Sequence, residues 1–225
     1  MLTEPDHCLH RYRYSMFKTL KPLILASGSP RRKVLLERLG LQFSVFPAHI
    51  DEEQYHQENA EDYVSRMARS KAAMVAAAHP DSWVIGADTI VVLDEILIGK
   101  PAVLDEAVAG LMLLSGRQHQ VKTAFCLCCL KRAFSQVRIV STMVQFMPLT
   151  RQWAEAYAAT GEPMDKAGAY GIQGRGSVLI ERIEGSYSNV VGLPLAELAA
   201  LLTELDLIAP AALSPGDAMV QKDRR

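Results

Sequence analysis

The chain has 225 residues, of which 49% are apolar and 22% charged, and its formal net charge is -1. That balance excludes a disordered chain, which carries fewer apolar residues and more net charge. No apolar run approaches the roughly 18 residues of a membrane span, and near-neutrality argues against general nucleic-acid binding, though not against a local basic patch. The length is enough for one sizeable core, divisible into two lobes.

The first residues, including His7, His10, Arg11 and Arg13, are polar or aromatic without a period. They lack the apolar stretch of a secretory signal. Residues 1–21 are read as a disordered extension, with Met16 as a natural start. Residues 22–207 are read as a single domain and 208–225 as a flexible tail.

Pro22 to Ala26 is a short apolar run, the pattern of a buried strand. Ser29 as N-cap, Pro30 at the first position and Gly40 past the end then mark a helix. Val45 and Phe46 suggest a further strand, followed by the acidic loop Asp51-Glu52-Glu53. Ala60 to Ala78 is the clearest helix, with Val64, Met67, Ala68, Ala72 and Val75 at helical spacing. Lys71 falls near that apolar stripe, either snorkelling to water or aimed into a cleft.

Trp83 to Ala87 reads as a buried strand ending at Asp88, and Thr89 to Leu93 continues as β-branched sequence. Asp94-Glu95 can turn the chain into Ile96–Ile98, before Gly99-Lys100-Pro101. Asp105 is read as the cap of a helix with Val108, Leu111 and Met112 inward and Gly116 at its end. Two long strands are expected over about 120–130 and 134–147. A helix opens at Thr150 and closes at Gly161. Five glycines between Gly161 and Gly176 imply unusual backbone, or backbone close to a ligand. Val178 to Ile183 reads as a strand, Gly185 to Asn189 as a loop, and Pro194 starts a last helix through Leu205. Strands alternating with helices, plus hairpins, give an α/β fold with a mixed sheet.

Four cysteines are present, three of them (Cys126, Cys128, Cys129) in one apolar stretch. Cys126 and Cys129 have a C-x-x-C spacing but no second pair to complete a zinc site. They are read as small hydrophobes of a buried strand, with redox or metal use as the alternative, in a chain suited to a reducing cytoplasm.

Three constellations can carry chemistry. Ser27-Gly-Ser-Pro-Arg31-Arg32 places two arginines in the first turn of a helix, where free N–H groups favour a phosphate. Cations there oppose the helix dipole, so the choice is between a bound anion and a solvated basic turn. Asp88 at a strand end can hold Mg²⁺ or orient a water, or simply form a turn. Gln173, in a glycine setting, can read a base edge, hold a water, or be an ordinary loop residue. Lys100 and the acidic loop are open to surface readings. Together these are the parts for metal-assisted phosphoanhydride hydrolysis. No P-loop, dinucleotide fingerprint or G-x-S-x-G elbow is present.

At these motifs the sequence resembles the Maf family of nucleotide pyrophosphatases. The residues are Leu25-Ala-Ser-Gly-Ser-Pro-Arg-Arg32, Gly86-Ala-Asp-Thr89, Gly99-Lys-Pro101, Leu114-Ser-Gly116 with His119 and Val121, Asp165 to Gly174, and Gly185 to Pro194. The likeness runs from about Leu23 to Leu205. It implies a mixed, twisted central sheet flanked by helices, two lobes and a deep cleft, of the Maf/ITPase-like kind. It implies hydrolysis of a nucleoside triphosphate to the monophosphate and pyrophosphate with a divalent cation, Mg²⁺ or Mn²⁺. Carried over, Asp88 is the proton acceptor, and Glu52 and Asp88 work near the metal. Ser27, Arg31, Arg32, Lys71 and Lys100 hold phosphates.

Arg31, Thr89 and Gln173 match the branch specific for dTTP and UTP rather than the one for 7-methyl-GTP. A second reading that comes with the family is a septum-formation regulator acting by binding. No nucleic acid or membrane is implied as partner, and a homodimer is compatible with the sequence. Asp94-Glu95, without the usual glycine, and the cysteine-rich strand depart from the family pattern.

Overall fold

The computed structural model describes residues 15–211. The reading of residues 1–14 and 212–225 as extension and tail lies outside the described residues. Strand β1 (Phe17–Thr19) pairs antiparallel with the last strand, β9 (Ile208–Pro210). The domain boundaries drawn at 22 and 207 are therefore too narrow. Three-residue strands paired across the whole chain leave no local pattern to read.

The main sheet is built from β2 (Leu23–Leu25), β3 (Ser44–Val45), β4 (Trp83–Leu93), β5 (Ile96–Ile98), β6 (Gln118–Cys129), β7 (Phe134–Phe146) and β8 (Ile180–Glu184). Its order is β3-β2-β4-β6-β7-β8, with β5 added beside β4. The β2 pairings to β3 and β4 are parallel; the others are antiparallel. The sheet is mixed, as expected.

Pleat alternation on β4 assigns its residues to two faces. Val84, Ile90 and Val92 pack with helix α2 (Ala60–Ala78), through its Val64, Ala68, Ala72 and Val75. Asn59 caps α2 by accepting from the amides of Glu61 and Asp62. Gly86 lies on the same face, where a Cβ would sit 2.4 Å from the Ala68 carbonyl oxygen and 2.5 Å from the Ala72 nitrogen. Helix and strand backbones meet there without a side chain between them.

The opposite face carries two separate apolar clusters. One joins Leu25, Ile85, Phe125 and Leu127 to α1 (Pro30–Arg38) and α6 (Leu195–Glu204). The other joins Val91, Leu93, Val121 and Val144 to α3 (Leu104–Leu114) and α4 (Arg151–Ala158). These are the two lobes. Cys126, Cys128 and Cys129 are buried free thiols in β6.

Several local expectations change. Asp105 lies in the first turn of α3, whose N-cap position is Val103. Met112 is 36% exposed, while Ala107, Val108, Leu111 and Leu114 form the buried stripe. The strand expected from Val178 starts at Ile180, after a 3₁₀ turn over Arg175–Leu179. The expected loop at Gly185–Asn189 contains helix α5 (Tyr187–Val191), capped by Ser186. Five residues are too few for a period to register. Asp94 and Glu95 turn the hairpin at φ 47 and 69, in the left-handed region that tight hairpin turns require and glycine fills most easily.

Candidate active site

The site forms where β4 loses its neighbour. On one edge, β2 pairs with Trp83–Ile85 and β5 with Val91–Leu93, so Gly86–Ile90 face no strand there. Asp88 lies in this gap. It is not at the end of its own strand, which runs on to Leu93; it is its partner β2 that ends. The β-branched run after Asp88 continues the strand, and the break that opens the site lies in β2, not in β4. The chemical result is the same, because Asp88 and Thr89 in the gap line an open cavity.

Alternation sends Asp88 and Thr89 to opposite faces. On the α2 face, Lys71 is 7% exposed and its ammonium lies 2.8 Å from Asp88 Oδ1 and 2.6 Å from Glu52 Oε1. Lys71 is thus aimed into the site rather than snorkelling. Lys100 lies 3.9 Å from the other Glu52 oxygen. Burial tends to raise the Glu52 carboxyl, but the hydrogen bond and charge of Lys71, with Lys100 and Arg32, hold it below its ordinary value.

The loop bearing Glu52 is tied to α2. Tyr63 donates to the Glu52 carbonyl at 2.9 Å. Arg66 donates to the Glu53 carbonyl at 2.9 Å and to both Glu58 oxygens at 2.6 Å, and lies 3.7 Å over the Tyr55 ring. Glu52 is therefore built into the site rather than being part of a free acidic run. Burial, with the nearby Asp88 and Glu52 charges, pushes the Tyr63 hydroxyl up to about 12.

On the other face, Arg32 donates through Nε to the Gly192 carbonyl at 2.8 Å, and through its terminal nitrogens to Ser27 at 3.2 Å and Thr89 at 3.1 Å. Burial lowers the Arg32 pKa against the opposing pull of Asp88, yet a guanidinium keeps its proton in proteins. Ser29 occupies the N-cap position of α1 but makes no side-chain cap. Instead its amide donates to Ser27 Oγ at 3.2 Å.

Arg31 points across to the glycine-rich segment, 2.7 Å from Asp165 Oδ2. Burial tends to raise the Asp165 carboxyl, but its bonds to Lys166 and Arg31 hold it below the usual value. Gln173 lies exposed on the same segment.

Three residues that organise this segment were not legible in the sequence. Glu162 accepts from Tyr157 at 2.9 Å and from the backbone amides of Arg175 at 2.9 Å and Gly176 at 3.2 Å. A Cβ at Gly174 would sit 2.5 Å from either Glu162 carboxylate oxygen, so a side chain there would push the carboxylate off these donors. Lys166 donates to the Glu162 carbonyl at 2.6 Å and faces the cavity. Tyr170 meets His119 Nε2 at 2.8 Å, fastening the segment to β6. Burial lowers His119 to about 4, so it is neutral near pH 7. Only glycine density signalled an ordered segment here; which side chain orders it was not encoded locally.

Ser27, Arg31, Arg32, Glu52, Lys71, Asp88, Thr89, Lys100 and Gln173 all line one cavity of about 580 Å³, within the usual range for a small-molecule site. Among the described residues no group of three or more His, Cys, Asp or Glu forms a metal cage. Two carboxylates, Glu52 and Asp88, converge on one ammonium. That donor set fits Mg²⁺ or Mn²⁺, hard cations bound through one or two carboxylates plus substrate phosphates. The cavity thus combines cations, paired carboxylates and polar groups, the requirements of phosphoanhydride chemistry.

Comparison with known proteins agrees with this chemistry. A family model described as Maf-like protein matches residues 22–205. The dTTP/UTP pyrophosphatase of Desulfotalea psychrophila is 53% identical, over 86% of this chain and 100% of the relative. The dTTP/UTP pyrophosphatase of Myxococcus xanthus is 49% identical, over 84% of this chain and 94% of the relative. Among solved structures, the Staphylococcus aureus Ham1 protein aligns with a TM-score of 0.42 at 14% identity, covering 56% of this chain and 72% of that one.

Proposed function

The chain belongs to the Maf family, and from that membership we propose that it hydrolyses dTTP and UTP to the monophosphates and pyrophosphate. The observation that carries the reading is the Glu52–Lys71–Asp88 triad and the half-buried Arg32 facing one nucleotide-sized cavity. Relatives about half identical over nearly their whole length bear that activity in their names.

In the proposed mechanism Asp88 takes a proton from water as its oxygen attacks the α-phosphorus. The new P–O bond forms as the bond from that phosphorus to the α–β bridging oxygen breaks, and pyrophosphate leaves with the electron pair. Arg32, Lys71 and Lys100, with Ser27, hold the phosphates and offset the charge that grows on the leaving group. Glu52 and Asp88 would hold a divalent cation, which would neutralise charge on the phosphate oxygens. Lys71 keeps the two carboxylates together, each within hydrogen-bond reach of its ammonium.

Arg31, Thr89 and Gln173 set the preference for the base. The Gln173 amide offers one donor group and one acceptor, matching the alternating N–H and C=O edge shared by thymine and uracil. The buried free thiols suit a reducing compartment, and we place the protein in the cytoplasm. No helix of the described residues is long and apolar enough to cross a membrane.

A nucleotide panel scored for pyrophosphate release tests the reading. dTTP and UTP are expected to show the highest kcat/KM. A higher value for 7-methyl-GTP would show that Arg31, Thr89 and Gln173 do not have the assigned role.

A further inference from the structure

The face of the sheet shared by the two lobes is interrupted by one polar row. Along β4 it reads Ile85, Ala87, Thr89, Val91; along β6 it reads Leu127, Phe125, Thr123, Val121. Thr89 and Thr123 are opposite each other in the β4–β6 register. The apolar neighbours on one side belong to one core cluster and those on the other side to the second. Thr123 and Asn189 are fully buried, and buried polar groups are costly unless bonded.

Their bonds run in one direction. Thr123 donates to the Asn189 carbonyl at 3.0 Å. With that hydrogen used, the 2.9 Å contact between the two threonines must be Thr89 donating to Thr123. The lone pairs of Thr89 are left to accept from Arg32 at 3.1 Å. Asn189 is itself fixed, its side-chain amide donating to the Val121 carbonyl and to Thr142 Oγ1, each at 2.9 Å. The Asn189 carbonyl also accepts from the Gly192 amide at 3.0 Å, and the Gly192 carbonyl takes Arg32 Nε. Two of the three bonds that fix Arg32, those to Thr89 and Gly192, therefore converge on Asn189; the third goes to Ser27.

We propose that Thr123 and Asn189 are positioning residues that hold the Arg32 guanidinium in its phosphate-binding orientation. The claim rests on the phosphate-holding role proposed for Arg32 and deepens it. Without the Thr123 hydroxyl, the Thr89 hydrogen has only the Gly192 carbonyl, at 3.5 Å, an acceptor already used by Arg32 Nε. Thr89 then turns toward an oxygen that Arg32 already uses, and of the three bonds that fix the guanidinium only the one to Ser27 is left undisturbed.

The test is calorimetric binding of inorganic triphosphate with Mg²⁺, alongside dTTP turnover, for Thr123→Val, Thr123→Ser, Arg32→Ala and the Thr123→Val/Arg32→Ala pair. Thr123→Val is expected to weaken triphosphate binding roughly tenfold, the scale of one hydrogen bond to a charged group. It is expected to raise the KM for dTTP more than it lowers kcat. Thr123→Ser should restore binding to within about threefold, and Thr123→Val should add nothing once Arg32 is alanine. Thr123→Ala is read in the same way if the valine variant shows no folding transition.

Wild-type binding by Thr123→Val, failure of serine to restore it, or losses that multiply in the double variant would overturn the proposal. Triphosphate binding absent from the wild type or untouched by Arg32→Ala would overturn both the proposal and the role of Arg32. Triphosphate binding without pyrophosphate release from dTTP would overturn the activity alone, with the binding results still deciding the positioning claim.

Discussion

Asp88→Asn is expected to lower kcat for pyrophosphate release from dTTP by about 10²–10⁴, the contribution of a positioned general base. The substitution keeps the shape of the side chain and removes its ability to take a proton. Lys71 retains Glu52 at 2.6 Å, so its ammonium does not become a lone buried charge. The thermal transition should therefore stay close to wild type, and KM should change less than kcat. Purified protein, dTTP and Mn²⁺ suffice for the assay. Full activity in this variant would remove Asp88 from the proton-accepting role.

Gly86→Ala is expected to damage fold and site together. The added Cβ meets the Ala68 carbonyl oxygen at 2.4 Å, the Ala72 nitrogen at 2.5 Å and the Ala72 Cβ at 2.9 Å. Two of these are backbone atoms in the middle of a 19-residue helix, so no flexible side chain can swing aside. Helix α2 must shift away from β4 by a substantial part of an ångström. Overpacking of this kind costs about 1–3 kcal/mol, and sometimes more. At roughly 2–4 °C per kcal/mol for a domain of this size, a 3 kcal/mol loss lowers the melting temperature by about 6–12 °C. Lys71 follows Ala68 and Ala72 on the same helix, so its ammonium moves relative to Asp88 and kcat should fall as well. Thermal scans and turnover measured on the same preparation check both effects. A stable, fully active alanine variant would show that the close helix–strand approach does not position Lys71.

Helix α2 was legible in the sequence because nineteen residues carry a full 3.6-residue period between an Asn cap and a polar end. That period places Lys71 near the apolar stripe but leaves open whether it reaches water or a cleft; the fold decides, because its partner Glu52 arrives on an irregular loop held by Tyr63 and Arg66. The strand Trp83–Leu93 was legible as β sequence, but the gap that makes Asp88 accessible depends on where β2 and β5 stop, which is a property of their pairing. On α3 the sequence pattern marks Val108, Leu111 and Met112 as inward; Val108 and Leu111 are buried, with Ala107 and Leu114 completing the stripe, and Met112 alone turns to its exposed edge. Glu162 gave no signal, because its role depends on three backbone and side-chain donors that the turns of one segment bring to it. Motif likeness singled out residues that line the cavity; their bonding required the fold.

The most direct test of the central claim is hydrolysis of dTTP in water enriched in heavy oxygen, followed by mass analysis of the products. Attack at the α-phosphorus predicts one heavy oxygen in the monophosphate and none in the pyrophosphate. Label in the pyrophosphate, or release of inorganic phosphate with a nucleoside diphosphate, would contradict the account.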